Sequence, residues 1–273
     1  MRADLHIHST ISDGSDTIES IIKTAINKEL DAIAITDHDT MSHIAQIPIK
    51  AGIIVIGGVE ISAAHRETKI KAHVLGYNIQ KPETITALTQ PLLEERNEKS
   101  IKQVEILIRH GYRIDIDKLA KADGKYLYKQ HFLDCLVSSG QIPDMFGDFY
   151  KKTFKHGGIC DLGNEYIDAF DAVRVIKEAG GLAVLAHPGQ QQNFWLIPKL
   201  VDAGLDGLEL NHHRHSDTDR KIIREYAGRY SLFLTGGSDY HGRYEPLPFG
   251  IGDFLSDESG ASAILVSGYP GSC

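Results

Sequence analysis

Apolar residues along this chain follow two alternating patterns. Short, nearly unbroken apolar runs occur at 3–7, 32–36, 53–57, 70–76, 182–186, 207–210 and 232–235. Runs of that length without polar alternation predict strands buried on both faces. Between them lie segments with helical spacing. Ile18, Ile21, Ile22, Ala25 and Ile26 recur at i, i+3, i+4, i+7 and i+8, the stripe of an amphipathic helix. Asp16-Thr17-Ile18-Glu19 reads as the capping box that opens it. Further helices are expected at 168–179, stopped by Gly180-Gly181, at 194–203 and at 217–230. Phe194 and Trp195 are expected to anchor the 194–203 helix in the interior. Such alternation implies an α/β fold whose sheet is parallel, either covered on both faces or closed as a barrel.

The alternation breaks between 81 and 157. A long charged helix is expected at 82–110 and another at 130–139, with no strand signal. The expected organisation is a first barrel part at 1–80, a helical insertion capping the substrate site at 81–157, and a second barrel part at 158–273. The tail beyond Asp253 is rich in Gly and Ser and is expected to be poorly ordered.

Composition adds limits. The 273 residues are 42% hydrophobic and 24% charged, with a net charge of -8. No apolar run approaches the roughly 20 residues of a membrane helix, and a strand begins almost at once in place of a signal peptide. These features point to the cytoplasm. The acidic balance argues against a stable nucleic-acid complex. Cys135, Cys160 and Cys273 lack metal-type spacing and read as reduced thiols.

The histidines change the picture most. His6 and His8 sit i, i+2 at the end of the first apolar run, and Asp239 and His241 have the same spacing after the last. Residues two apart on a strand point to one side. Asp13, His38, Glu60, His73 and His187 also lie at or near the C-terminal ends of strands, where barrels of this class place their chemistry. Imidazoles and carboxylates without thiolates suit zinc, iron or manganese, and the candidates are too many for one ion. Asp37 and Asp39 are candidates to orient ligand imidazoles from behind.

Asp4-Leu5-His6-Ile7-His8-Ser9, Ser12-Asp13-Gly14, Thr36-Asp37-His38-Asp39, Gly58-Val59-Glu60, His73-Val74-Leu75-Gly76-Tyr77, Ala186-His187-Pro188-Gly189 and Gly237-Ser238-Asp239-Tyr240-His241 together resemble the ordered motifs of the PHP (polymerase and histidinol phosphatase) family. The resemblance implies a distorted, TIM-like seven-stranded (β/α) barrel and a site for two to three divalent ions (Mn, Fe or Zn). It places His6, His8, Glu60 and Asp239 on one ion. Glu60 bridges to a second with His73 and His187, and Asp13, His38 and His241 hold a third. Asp13, His38 and His241 thereby join the catalytic set. The stand-alone phosphoesterases acting on nucleoside monophosphates and 3′,5′-bisphosphates, some also trimming RNA 5′ ends, are the most similar branch. Lys129-Gln130-His131 stands where these usually carry Arg-Pro-His, and lysine lacks the bidentate fork of arginine.

Three divalent ions against three carboxylates leave roughly +3, a strong attractor for phosphate in an acidic protein. Metal coordination lowers the pKa of water towards about 7, so hydrolysis of a phosphomonoester by activated water is the expected reaction. Substrate-side candidates are Arg96 and Lys99, which share a helix face, with Lys129, His131, Arg214 and His215, the last as general acid. The expected partner is a small phosphorylated molecule, most simply a nucleotide, away from any membrane. Competing readings are a phosphatase of a non-nucleotide metabolite such as histidinol phosphate, a C–N hydrolase on a similar barrel, and a non-catalytic PHP module.

Overall fold

The computed structural model describes residues 1–119, 121, 125–163, 165–245 and 248–267. Cys273, expected as a reduced thiol, lies outside the described residues. Cys135 and Cys160 are free thiols.

The first strand, β1 (Ala3–Ile7), is wholly buried. Helix α1 (Ile18–Asn27) starts one residue later than a cap at Asp16 would give. Thr17 is its N-cap, and the Thr17 hydroxyl accepts from the Ser20 amide. Ile18, Ile21, Ile22 and Ala25 are its buried face, each fully buried isoleucine contributing about 1.5–3 kcal/mol of transfer free energy. Next come β2 (Ala32–Ile35), β3 (Ile54–Gly57), β4 (Val59–Ile61), β5 (Ala63–Ala64) and β6 (Val74–Tyr77).

The interrupted region holds α2 (Pro82–Arg109), α3 (Lys129–Ser138) and α4 (Asp148–Phe154). The N-terminal part of α2 packs Ile85 into the main core, whereas Val104 and Leu107 join Leu127, Phe132, Leu133, Leu136, Ile142 and Phe154 in a separate cluster. One long helix therefore carries a second small core out over the first.

The chain then returns through β7 (Ile167–Asp168), α5 (Ala169–Glu178), β8 (Leu182–Leu185), α6 (Pro188–Gln191), α7 (Ile197–Asp202), β9 (Gly207–Asn211), α8 (Asp217–Tyr230) and β10 (Phe233–Gly236). The expected 194–203 helix is a short 3-10 turn, Phe194–Leu196, followed by α7. Trp195 is not a buried anchor: it is 42% exposed and meets His65 edge-on. The Gly/Ser-rich tail is also more ordered than expected. Glu258–Ser267 forms α9, with Ala261 and Ile264 buried against β1, β2 and β6 residues.

The α/β class holds, but the sheet is neither all parallel nor one ring among the described residues. Strands β1, β2 and β3 form one parallel sheet, and β10-β9-β8-β6-β4 form a mixed one in which β6 is antiparallel to both neighbours. The switch happens at Gly58. Strand β3 pairs with β2, and two residues later β4 pairs with β6. A Cβ on Gly58 would lie 2.8 Å from the Gly76 carbonyl, so only glycine lets the chain cross there. Single bridges, Ile7 to Tyr240 and His38 to Glu60, tie the two sheets together. The first bridge lies between His6 and His8 on one side and Asp239 and His241 on the other, and the second joins two candidate site residues. No helix among the described residues is long and apolar enough to cross a membrane.

Candidate metal centre and cap cavity

The ends of β1, β2, β4, β8 and β10 bring the candidate side chains to one place. They are joined by His73, which is expected late in a strand but sits just before the start of the antiparallel β6. His6, His8, Glu60 and Asp239 offer donor atoms all within 4.8 Å of one another. So do His8, Asp13, His38 and His241, and also His38, Glu60 and His73. Glu60 joins two of these sets through its two oxygens. Oε2 lies 3.3 Å from His6 Nε2, 3.2 Å from His8 Nε2 and 3.3 Å from His38 Nδ1. Oε1 lies 2.9 Å from both His73 Nδ1 and His187 Nε2. Asp239 Oδ1 is 3.3 Å from the Nε2 atoms of His6 and His8. Asp13 Oδ1 is 3.5 Å from His8 Nδ1 and from His241 Nε2.

Hydrogen bonds set the tautomers. His241 Nδ1 donates to the Asp239 carbonyl at 2.8 Å, leaving Nε2 to face Asp13. His6 Nδ1 donates to Glu209 Oε1 at 3.0 Å, leaving its Nε2 lone pair for the centre. Glu209 Oε2 also accepts from the His187 amide at 2.7 Å. That bond helps hold His187 at φ +28°, and Asp239 has φ +50°, left-handed backbone rarely adopted by non-glycine residues. Such strain, of order 1–3 kcal/mol each, persists where surroundings fix it and concentrates at functional sites.

The electrostatics fit cations. Burial opposes ionisation of Glu60, Asp13 and Asp239, yet the imidazoles around them outweigh it and hold all three well below the usual carboxylate range. Burial pushes His73 down to about 4, towards the neutral form that a metal requires. For His241, burial pulls the pKa down, but the Asp13 charge and hydrogen bond prevail and raise it to about 10. Protons on such imidazoles are what balance the carboxylates when no metal does. Two buried nitrogens, His8 Nδ1 and His73 Nε2, have no hydrogen-bond partner. Orphaned lone pairs beside ionised carboxylates, in an all-N/O set, suit divalent zinc, iron or manganese.

Glu209 was not foreseen. Its signal was a lone carboxylate between Leu208 and Leu210 in an apolar strand, in the one βα unit without a ligand candidate. Asp37 and Asp39, expected behind the ligand imidazoles, are placed otherwise. Asp37 accepts from the Ser9 amide and hydroxyl, both at 2.7 Å, and from the Ser12 hydroxyl at 2.6 Å, organising the loop that carries Asp13. Asp39 accepts from Arg96 Nη1 and from the Ser62 amide at 2.8 Å.

Beside the centre, under α2, α3 and α4, lies a cavity of about 210 Å³. It reaches Asp13, His38 and His73 on one side and Arg96, Lys99 and Lys129 on the other. The cations differ in what they are free to do. Arg96 is engaged by Asp39 and by the Ser62 hydroxyl. Lys99 pairs with Glu95 at 2.5 Å. Lys129 and Lys71, the latter not foreseen, have no carboxylate partner among the described residues. They lie 5.4 Å over the Phe154 ring and 5.5 Å over the Tyr166 ring, respectively. Burial, then Lys155, Arg96 and Lys71, lower the Lys129 pKa to about 8.

Three other candidates do not face the cavity. His131 Nδ1 accepts from the Tyr128 amide at 3.2 Å and caps α3. Arg214 is half exposed and pairs with Glu245 at 2.9 Å. His215 Nδ1 donates to the Leu210 carbonyl at 2.8 Å, and its Nε2 accepts from the Gly189 amide at 3.1 Å. With both ring nitrogens committed to backbone, His215 has none left to protonate a leaving group; it pins the loop after β9.

The PHP domain family model matches residues 4–184. The chain is 41% identical over 255 residues, 91% of its length and 97% of the relative's, to a phosphoribosyl 1,2-cyclic phosphate 1,2-diphosphodiesterase of Eggerthella lenta. It is 30% identical, over 87% of its length and 86% of the relative's, to a 3′,5′-nucleoside bisphosphate phosphatase of Chromobacterium violaceum. A Bifidobacterium adolescentis structure, provisionally assigned as a metal-dependent phosphoesterase, superposes with a TM-score of 0.86 at 25% identity, over 98% of this chain and 96% of the other. The chain belongs to the PHP-domain family and is a phosphoesterase of its metal-dependent kind.

Proposed function

We propose that this phosphoesterase hydrolyses a small ribose phosphate or nucleotide ester that carries a second phosphate. The observation that carries this reading is the pair of cations, Lys71 and Lys129, that form no ion pair among the described residues at the cavity beside the metal-type cluster. Lys155 and Arg96 add positive charge around Lys129. The named substrates of the two relatives support it, since a phosphoribosyl cyclic phosphate and a nucleoside bisphosphate each bear two phosphates.

His6, His8, Asp13, His38, Glu60, His73, His187, Asp239 and His241 are the proposed ligands of two to three divalent ions, manganese, iron or zinc. Ions held there supply a water-derived nucleophile near neutral pH and offset charge on the phosphoryl oxygens. The chain's part is placement. Glu60 spans two donor sets with its two oxygens. Glu209 holds His6 in one tautomer. Lys71 and Lys129 anchor the non-reacting phosphate and so fix the distance of the scissile ester from the centre. Residues 81–157 act as the cap that closes over it. The free thiols Cys135 and Cys160 suit the reducing cytoplasm we propose as its location.

A substrate panel tests this, with inorganic phosphate assayed and organic products separated by chromatography, because opening one ester of a cyclic phosphate frees no phosphate. It holds a phosphoribosyl 1,2-cyclic phosphate, adenosine 3′,5′-bisphosphate, AMP, a 5′-phosphorylated oligoribonucleotide and histidinol phosphate. The two small substrates with two phosphates are expected to give the highest kcat/KM. Equal or faster turnover of AMP or histidinol phosphate overturns the reading.

A further inference from the structure

The cap is bonded to the metal-type centre on one side only. Side chains of the cap reach inward mainly onto the loops that carry Asp13 and His38; Arg96 also donates to the Ser62 hydroxyl at 3.0 Å, which lies 3.2 Å from His38 Nδ1. Gln130 Nε2 donates to Asp13 Oδ2 at 2.8 Å. The Tyr128 hydroxyl donates to the His38 carbonyl at 3.3 Å. Arg96 binds Asp39, the residue after His38. Among the described residues no side chain of the cap bonds His6, Glu60, His73, His187 or Asp239. Gln130 is also a wall of the cavity.

Asp13 is the least supported carboxylate of the centre. Glu60 and Asp239 have close imidazole neighbours at 2.9–3.3 Å, whereas Asp13 meets His8 and His241 at 3.5 Å and His38 at 4.0 Å. The Gln130 amide is its shortest contact, apart from which the Ser12 hydroxyl reaches Oδ1 at 3.3 Å. By engaging Oδ2, Gln130 turns Oδ1 towards His8 and His241.

We propose that Gln130 is a positioning residue. Its side chain holds Asp13 so that the His8, Asp13, His38 and His241 donors bind their ion, and it makes loading of that one position depend on the cap. The inference rests on the proposed multi-ion centre. Coupling of this kind is reciprocal: whatever seats α3 over the cavity tightens the ion, and the ion steadies the cap. The set of His6, His8, Glu60 and Asp239, to which no cap side chain bonds among the described residues, loads independently of it.

The experiment is equilibrium dialysis of the full chain against increasing manganese, with bound metal counted by plasma mass spectrometry and folding followed by circular dichroism. Gln130→Ala is expected to weaken one ion by about 10-fold, the lower range for losing a residue that orients a ligand, while the remaining ions bind as before. Tyr128→Phe, which keeps the ring and removes the hydroxyl, is expected to shift the same ion in the same direction by less. Asp134→Ala breaks another tie of α3 to the barrel, the pair with Arg243 at 2.8 Å, and is expected to leave loading unchanged. A Gln130→Ala titration superimposable on the parent overturns the proposal, as does an equal shift in Asp134→Ala. A parent chain that binds no manganese would instead remove the multi-ion reading beneath it.

Discussion

The metal-type centre and the cap cavity sit side by side, yet they are built on opposite terms. In the centre, buried carboxylates and imidazoles are over-supplied to one another. Glu60 alone has close contacts with five histidines. In the cavity, cations are in excess, and Lys71 and Lys129 form no ion pair among the described residues. The first arrangement asks for cations and the second for an anion. A phosphate ester with a second phosphate, joined to divalent ions, answers both. The contrast also predicts how each region fails: loss of a donor from the centre removes the reaction, whereas loss of a cation from the cavity weakens the hold on substrate.

The largest effect is therefore expected at Glu60. Glu60→Gln leaves size and fold intact but takes the charge from the group shared by two donor sets. Turnover should fall by more than about 100-fold, beyond the usual cost of a merely supporting residue, and metal content should fall with it. Normal metal content and turnover in this variant would break the comparison at its root.

Glu209→Gln is next. An amide offers one acceptor oxygen where the carboxylate serves both His6 Nδ1 and the His187 amide. A loss of about 10-fold to 100-fold in kcat is expected, with little change in KM. A rise in KM at constant kcat would move Glu209 from the centre to the substrate side.

How far these two regions were legible in the sequence follows from the same physics. His6 with His8 and Asp239 with His241 are local in sequence, so spacing alone flags each pair, although β1 ends at Ile7 and Asp239, at φ +50°, lies beyond β10, where strand periodicity no longer applies. Such sites survive the step from pattern to structure. The cavity depends on contacts between distant elements. Whether Arg96 faces substrate or Asp39 is decided by a loop 57 residues away, and no periodicity reports that. His215 shows the same limit: its residue type suggested acid catalysis, but two backbone groups from other segments had already claimed both nitrogens. The sheet was misread as uniformly parallel for a related reason. Antiparallel pairing of β6 rests on the crossing at Gly58, and apolar runs carry no direction.

On the cavity side, Lys129→Ala should raise KM for two-phosphate substrates by about 10-fold, close to the worth of one charge-assisted contact, with kcat nearly unchanged. The sign of the pH dependence follows from the Lys129 pKa of about 8. Below that value the ammonium is present and binds anion; as pH rises through it the charge is lost and KM should climb. The unfolded chain keeps that proton to higher pH, so stability at this group rises with pH in the same window while substrate binding falls. In Lys129→Ala the KM inflection near pH 8 should vanish. An unaltered inflection would assign it to another group.

The smallest effect is expected where a cavity cation is already spent. Lys99 pairs with Glu95 one helical turn away, and both are partly exposed. Pairs of this type contribute about 0.3–0.5 kcal/mol, so Lys99→Ala should shift Tm by no more than about 2 °C. If substrate is held by the cations without partners, KM should move far less in Lys99→Ala than in Lys129→Ala. Equal changes in the two variants would mean that substrate draws Lys99 away from Glu95, and that the resting pairing of a cation does not decide which ones bind phosphate.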